Sequence, residues 1–182
     1  VVTEYSSTTS RAVIQHDLSS DSNVYASLSE GFKAGGYATY ECTEPYDPEE
    51  VTSLEFGFKG SLSENTSLNA SLFRYDYTDF QVLQVVGIQT VTRNAGDATV
   101  NGLEIEALSN VNDSLAINYG LTLLDATYGE FLNTNGIQPQ LGEQQLDGNY
   151  LTNAPKVSIN LGLNYTSPMA SGASLTYRAN AS

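Results

Sequence analysis

The residues with most chemistry to offer are carboxylates and tyrosines, and their spacing is not that of a catalytic or metal centre. Glu41, Glu44, Asp47, Glu49 and Glu50 crowd one stretch, and clustered oxygen ligands suit a hard cation such as calcium. That stretch lacks the one-three-five spacing and the glycine of a dedicated calcium loop, so no metal site is assigned to it. Glu104 and Glu106 share one face of an extended segment but have no recognisable partner site. Cys42 and His16 are each the single residue of their kind, which rules out an internal disulfide, a structural zinc of the usual type and Cys-His catalysis. With no nucleophile-base pair and no phosphate loop, the chain is expected to be neither an enzyme nor the holder of a cofactor.

The elements that must position these groups are strands. Twelve Tyr, 15 Gly and no Trp, in a background rich in Ser, Thr and Asn, favour pleated segments joined by turns. The length of 182 residues requires only one domain. The net charge of -14, with 7 basic residues in all, argues against a nucleic-acid partner, because neutralising phosphates takes clustered Lys and Arg. No run approaches the roughly 18 apolar residues of a membrane helix, and the start of the chain lacks a signal peptide's basic and apolar regions.

Alternation with period two, the mark of a strand with two different faces, recurs along the chain. Leu54, Phe56, Phe58 and Leu62 oppose Ser53, Glu55, Gly57 and Lys59. Leu115, Ile117, Tyr119, Leu121 and Leu123 oppose Ala116, Asn118, Gly120 and Thr122, and Val157 to Tyr165 repeats the scheme. Segments around Ala12, Val24, Leu103 and Leu175 behave likewise, which makes about eight strands. Between Ser67 and Val86 the apolar parity passes from Leu68, Ala70 and Leu72 to Phe73, Tyr75 and Tyr77; either a bulge or emergence of the strand from a membrane would cause this.

Connections alternate in length. Short ones fall at Ser19 to Ser22, Ser63 to Thr66, Asn110 to Asp113 and Thr166 to Gly172, and long ones at Ala34 to Glu50 and Tyr128 to Asn149, with Gly87 a tight exception. The arms flanking Gly87, Ser67 to Val86 and Ile88 to Leu108, are each about twice the 9–11 residues that cross a bilayer and should project beyond it. A soluble sandwich and a membrane barrel share this alternation. The barrel is preferred because the polar faces carry small residues with few charges, because Phe32, Tyr119, Tyr165 and Tyr177 sit near the ends of apolar faces, and because the turns alternate in length. The fold expected is therefore all-β, an antiparallel up-and-down meander of about eight strands forming part of a transmembrane β-barrel.

Ordered phrases sharpen this. Tyr25-Ala-Ser-Leu-Ser-Glu-Gly-Phe-Lys-Ala-Gly-Gly36, the segment Pro48 to Lys59 with its Glu55, Gly57 and Lys59, Phe73 to Gln81, Asn94 to Glu106 and Asn153 to Ser158 together resemble the barrel of TonB-dependent outer-membrane receptors. The match runs in order from about Ser20 to Ala181. Within it Gly31, Gly57 and Gly102 suit strand bends or a close neighbouring side chain, and Pro48 and Pro155 suit strand starts.

The resemblance implies a bacterial outer-membrane location, outer-membrane lipid around the wall, and uptake of a scarce nutrient of the siderophore, cobalamin or glycan class. TonB and a plug domain would act only through the remainder of the parent protein. Residues 1–182 read as a partial barrel domain, without the plug or the aromatic final strand. Ligand contacts are expected from the loop aromatics Tyr37, Tyr40, Tyr46, Tyr128, Phe131 and Tyr150, and Glu55, Lys59, Glu104, Glu106 and Arg178 are expected to face the lumen. The alternatives are a small eight-stranded outer-membrane barrel serving as anchor or adhesin, and a soluble β-rich binding module.

Overall fold

A computed structural model describes residues 4–38, 41–86, 89–134 and 138–182. Its main sheet has eight antiparallel strands: β1 (Arg11–Asp17), β2 (Ser22–Lys33), β5 (Glu49–Ser63), β6 (Thr66–Thr78), β9 (Ala98–Asn112), β10 (Leu115–Tyr128), β13 (Val157–Pro168) and β14 (Ser174–Ala181). They lie side by side in that order. Between them stand three two-stranded hairpins, β3 (Gly36–Ala38) with β4 (Glu41–Tyr46), β7 (Gln81–Val86) with β8 (Gln89–Asn94), and β11 (Leu132–Thr134) with β12 (Glu143–Gln145). A one-turn 3-10 helix, Pro139–Leu141, precedes β12.

All four short turns lie at one end of the sheet and all three hairpins at the other, as the chain order of the elements requires. The turns are closed by polar residues where sequence places them: Ser19 donates to Asp21, and the Asn112 side chain accepts from the backbone N–H groups of Ser114 and Leu115. Such Asx-type bonds replace the ladder bonds a reversing chain gives up. The Ser19 hydroxyl also holds the Asp21 carboxyl below its usual range.

The alternation becomes two faces of one sheet. Ala26, Phe56, Leu72, Leu103, Leu123 and Val157 form one cross-strand row, and Val24, Phe58, Ala70, Ile105, Leu121 and Ile159 the next. Among the described residues no second layer covers this face: Phe56, Leu72 and Ile159 are each more than half exposed, at 51%, 59% and 62%. At about 25 cal/mol per Å2 of apolar surface, a face of this extent is more stable against an apolar medium than against water, which favours the membrane barrel over the soluble sandwich. Among the described residues β1 and β14 are unpaired edges, so the eight strands do not close into a small barrel of their own.

The parity change in β6 is not a bulge. Its pairing with β9 runs without a shift from Thr66 to Tyr77, and its pairing with β5 shifts only beside the turn, between Ser61 and Ser63. The strand keeps its register while its two faces exchange character. Beyond Leu28, Leu54, Leu72, Leu103 and Leu123, the apolar face turns polar, with Glu30, Thr52, Arg74, Asp76, Asn101 and Asp125. At the same levels the opposite face turns apolar, with Val51, Tyr75, Tyr77, Val100, Ala98 and Tyr128. The boundary is reached one row sooner on β6 than on β2 and β5, as expected of strands tilted across a bilayer.

The two long arms are each broken. Ser67 to Val86 is not one strand but β6 and β7, and the partner arm is β8 and β9. Asp79 (φ 53°) and Gly96 (φ +86°) take left-handed backbone at the breaks, where an aspartate is tolerated and a glycine costs nothing. Bonds from the Ala95 N–H to the Phe80 carbonyl and from the Phe80 N–H to the Gly96 carbonyl carry the hairpin across, so its upper part leaves the main sheet. Among the described residues a buried hydrophobic cluster lies at this end of the sheet: Ala95, Tyr128 and Phe131, packed by Phe80, Val82, Leu146 and Leu151. Gly87 lies outside the described residues.

Candidate functional site

On the polar face, below the level where the faces exchange, β2, β5, β6 and β9 bring charges together. The Tyr25 hydroxyl donates to Glu55 at 2.5 Å, and the Lys59 ammonium lies 5.1 Å from the centroid of the Tyr25 ring. Glu104 stands opposite Ser71 and Glu106 opposite Asn69, which is itself opposite Lys59. These groups rim a cavity of about 250 Å3. Gly57 makes the first contact possible, because any side chain there would run into the ring of Tyr25. Gly102 does the same for Phe73, whose ring lies over it and stacks on Tyr75 at 4.7 Å. At Gly31 an added Cβ would stand 2.7 Å from the Val51 side chain. All three glycines expected to admit a close neighbour do so. Arg178 shares the face but stands on edge strand β14, opposite Asn164 and beyond β10 and β13, so it does not join the cluster.

Above the sheet an aromatic series continues from Tyr77. Its ring meets Phe80 at 5.2 Å, Phe80 meets Tyr128 at 6.3 Å, and Tyr128 meets Phe131 at 5.4 Å. Edge-to-face and tilted pairs at these spacings are favourable beyond the area they bury. Burial, with Glu49 adding its charge, pushes the Tyr77 phenol up. Backbone bonds lock the third connection onto this series: Leu146 N–H to Phe131, Gly148 N–H to Tyr128 and Leu151 N–H to Ala126.

Between β7 and this third connection opens a cleft of about 810 Å3. Its floor is Phe80, Tyr128, Phe131, Leu146 and Leu151, and its walls carry amides, among them Gln84, Asn133, Asn149 and Asn153. Gln84 donates to the Asn133 side chain across the gap. Tyr150, half exposed, stands at the mouth with the Lys156 ammonium 3.5 Å from its ring centroid.

Of the loop aromatics singled out by sequence, Tyr128, Phe131 and Tyr150 therefore meet in one cleft. Tyr128 and Phe131 serve mainly as its packed floor, each 9% exposed. Tyr37 and Tyr46 belong to β3 and β4 and do not line it. Tyr40 lies outside the described residues. Sequence reasoning passed over Phe80, Val82, Leu146 and Leu151; of these only Phe80 and Leu146 stand out as apolar side chains flanked by polar residues. The acidic stretch does not converge where it is described: Glu49 accepts from the Gln81 N–H and lies 3.9 Å from Lys33, while Glu50 falls on the other face of β5.

Solved structures share this architecture. The ferric yersiniabactin uptake receptor FyuA of Yersinia pestis matches with a TM-score of 0.72 at 19% identity, over 92% of this chain and 24% of that one. The ferric preacinetobactin receptor BauA of Acinetobacter baumannii matches at 0.66 and 21% identity, over 94% and 25%. The siderophore receptor PiuA of the same organism matches at 0.63 and 23%, over 85% and 23%. At these identities the likeness is one of fold, and the chain spans about a quarter of each receptor. No curated protein sequence matches it. The family model for the TonB dependent receptor-like β-barrel matches residues 2–182, and with the eight-stranded meander, its uncovered apolar face and its one-sided hairpins this places the chain in that family of outer-membrane barrels.

Proposed function

We propose that the chain is a wall segment, with three extracellular connections, of a receptor that captures a ferric siderophore or comparable scarce nutrient and passes it inward with energy relayed through TonB. The observation that carries this reading is the cleft between β7 and the third connection, which is concave, floored by aromatic and aliphatic side chains and walled by a few amides, as small-molecule sites are. Among the solved structures that share its fold are a ferric yersiniabactin uptake receptor, a ferric preacinetobactin receptor and a siderophore receptor, which favours a metal chelate over the cobalamin and glycan alternatives.

On this reading outer-membrane lipid meets the apolar face, the polar face lines the lumen, and Glu55, Lys59, Glu104 and Glu106 face the plug supplied by the rest of the receptor. Tyr128 and Phe131 hold the cleft in shape and Tyr150 touches the ligand. Tyr37, Tyr40 and Tyr46 belong to the first connection and would contact ligand only from its rim. The test is equilibrium binding and uptake of ferric siderophores by the intact receptor. Tyr150→Ala is expected to weaken binding about tenfold with the barrel's unfolding unchanged. Unaltered binding and uptake in that variant would remove the cleft from the function.

A further inference from the structure

We infer that the cleft selects an uncharged ligand and rejects polyanionic ones; this rests on the reading of the cleft as a nutrient site and specifies its charge class. Among the described residues, none of those lining the cleft carries a formal charge. Its polar groups are amides and hydroxyls, Gln84, Asn133, Asn149 and Thr152 among them. These satisfy carbonyl and hydroxyl oxygens by hydrogen bonds, while the apolar floor takes C–H surface. None of them neutralises an anionic oxygen as an arginine fork would.

The surroundings reinforce this. The connections spanning 34–48, 79–97 and 129–156 hold eight acidic residues and two basic ones, a difference of six negative charges. The two cations, Arg93 and Lys156, are both outside the cleft's lining, and Lys156 is seated on the ring of Tyr150. A net negative charge on the connections that carry the cleft repels ligands of like sign. A ferric tris-catecholate, with its triple negative charge, would be desolvated into a cleft with no counter-charge, which is costly for any buried ion. A neutral ferric trihydroxamate presents carbonyl-type oxygens and apolar spacers, and a neutral oligosaccharide presents hydroxyls and C–H faces. Both have the chemistry of this lining.

The experiment measures equilibrium binding of three probes to the intact receptor at low and high salt: a neutral ferric trihydroxamate, a trianionic ferric tris-catecholate and a neutral oligosaccharide. The expected result is that the trihydroxamate binds at least about tenfold more tightly than the tris-catecholate. Its affinity should be indifferent to salt, while weak tris-catecholate binding improves as salt screens the repulsion. Thr152→Lys, at an exposed lining position, should narrow the gap by raising tris-catecholate affinity several-fold. Binding of the oligosaccharide alone would uphold the neutral-ligand inference and overturn the ferric-chelate reading. Tighter binding of the tris-catecholate, weakening with salt, would overturn the inference and leave the chelate reading standing.

Discussion

The lower and upper halves of the same strands solve opposite problems. Below Leu72 on β6 the apolar face holds Leu68 and Ala70 and the polar face Asn69 and Ser71; above it the first face holds Arg74 and Asp76 and the second Tyr75 and Tyr77. The pleat, the hydrogen-bond ladder and the neighbours are unchanged across the boundary. Which side is greasy is therefore set by the medium at each level, lipid below and water above. Above the boundary the opposite face becomes the place to bury aromatic rings. A parity shift without a bulge is thus a depth marker readable in sequence.

The sharpest way to break this comparison is to place the same charge at two depths of one face. Phe58→Arg, in the middle of the lipid-facing band, should cost about 2–4 kcal/mol of folding stability in bilayers, and Thr99→Arg, on that face above the band, close to nothing. Urea unfolding of the intact receptor in liposomes measures both. Equal costs at the two sites would mean that the band boundary is misplaced.

A smaller effect tests how the interior side changes character. Gly102→Val puts a side chain where the Phe73 ring lies and should cost about 1–3 kcal/mol by overpacking. In a Phe73→Ala background the same substitution should cost much less, which a double-mutant cycle reads directly. Additive effects would show that ring and glycine do not depend on each other.

The smallest effect belongs to the upper outer face. Hydrogen bonds from the Arg74 guanidinium hold the Asp76 carboxyl below its usual range. A carboxyl lowered in the folded state stabilises it at pH values above the unfolded pKa and loses that contribution as pH falls through the folded one. Wild type should thus slightly exceed Asp76→Asn in stability at pH 7 and match it in strong acid. Both side chains are about half exposed, so the margin should be slight and should vanish in about 1 M salt. A margin that persists in acid would point to a packing role instead.

Sequence and structure agree most closely where a physical period governs. Eight strands, their neighbour order and their two faces follow from alternation and turn residues, because a strand with one face in lipid tolerates no slip of register. The breaks at Asp79 and Gly96 were not anticipated; the trace of the first is the step of three between Tyr77 and Phe80 in a run that otherwise alternates with period two. The cleft was half legible. Tyr128, Phe131 and Tyr150 stood out as aromatics in a polar connection, but Phe80 and Val82 come from a different hairpin, and only the folded arrangement brings them together. Position in one loop does not report contact with another.

The one-sided placement of the turns has a consequence for how such a wall can change over time. Four tight turns tie β1 to β2, β5 to β6, β9 to β10 and β13 to β14, leaving the three hairpin-bearing connections as bridges between finished pairs. Closing a bridge of twice the length costs only about 0.6 kcal/mol more, whereas a residue inserted at a tight turn would slip the register of a whole pair. Insertions, deletions and wholesale exchange can accumulate in the bridges while the staves stay as they are, so ligand preference is free to diverge much faster than the wall that carries it.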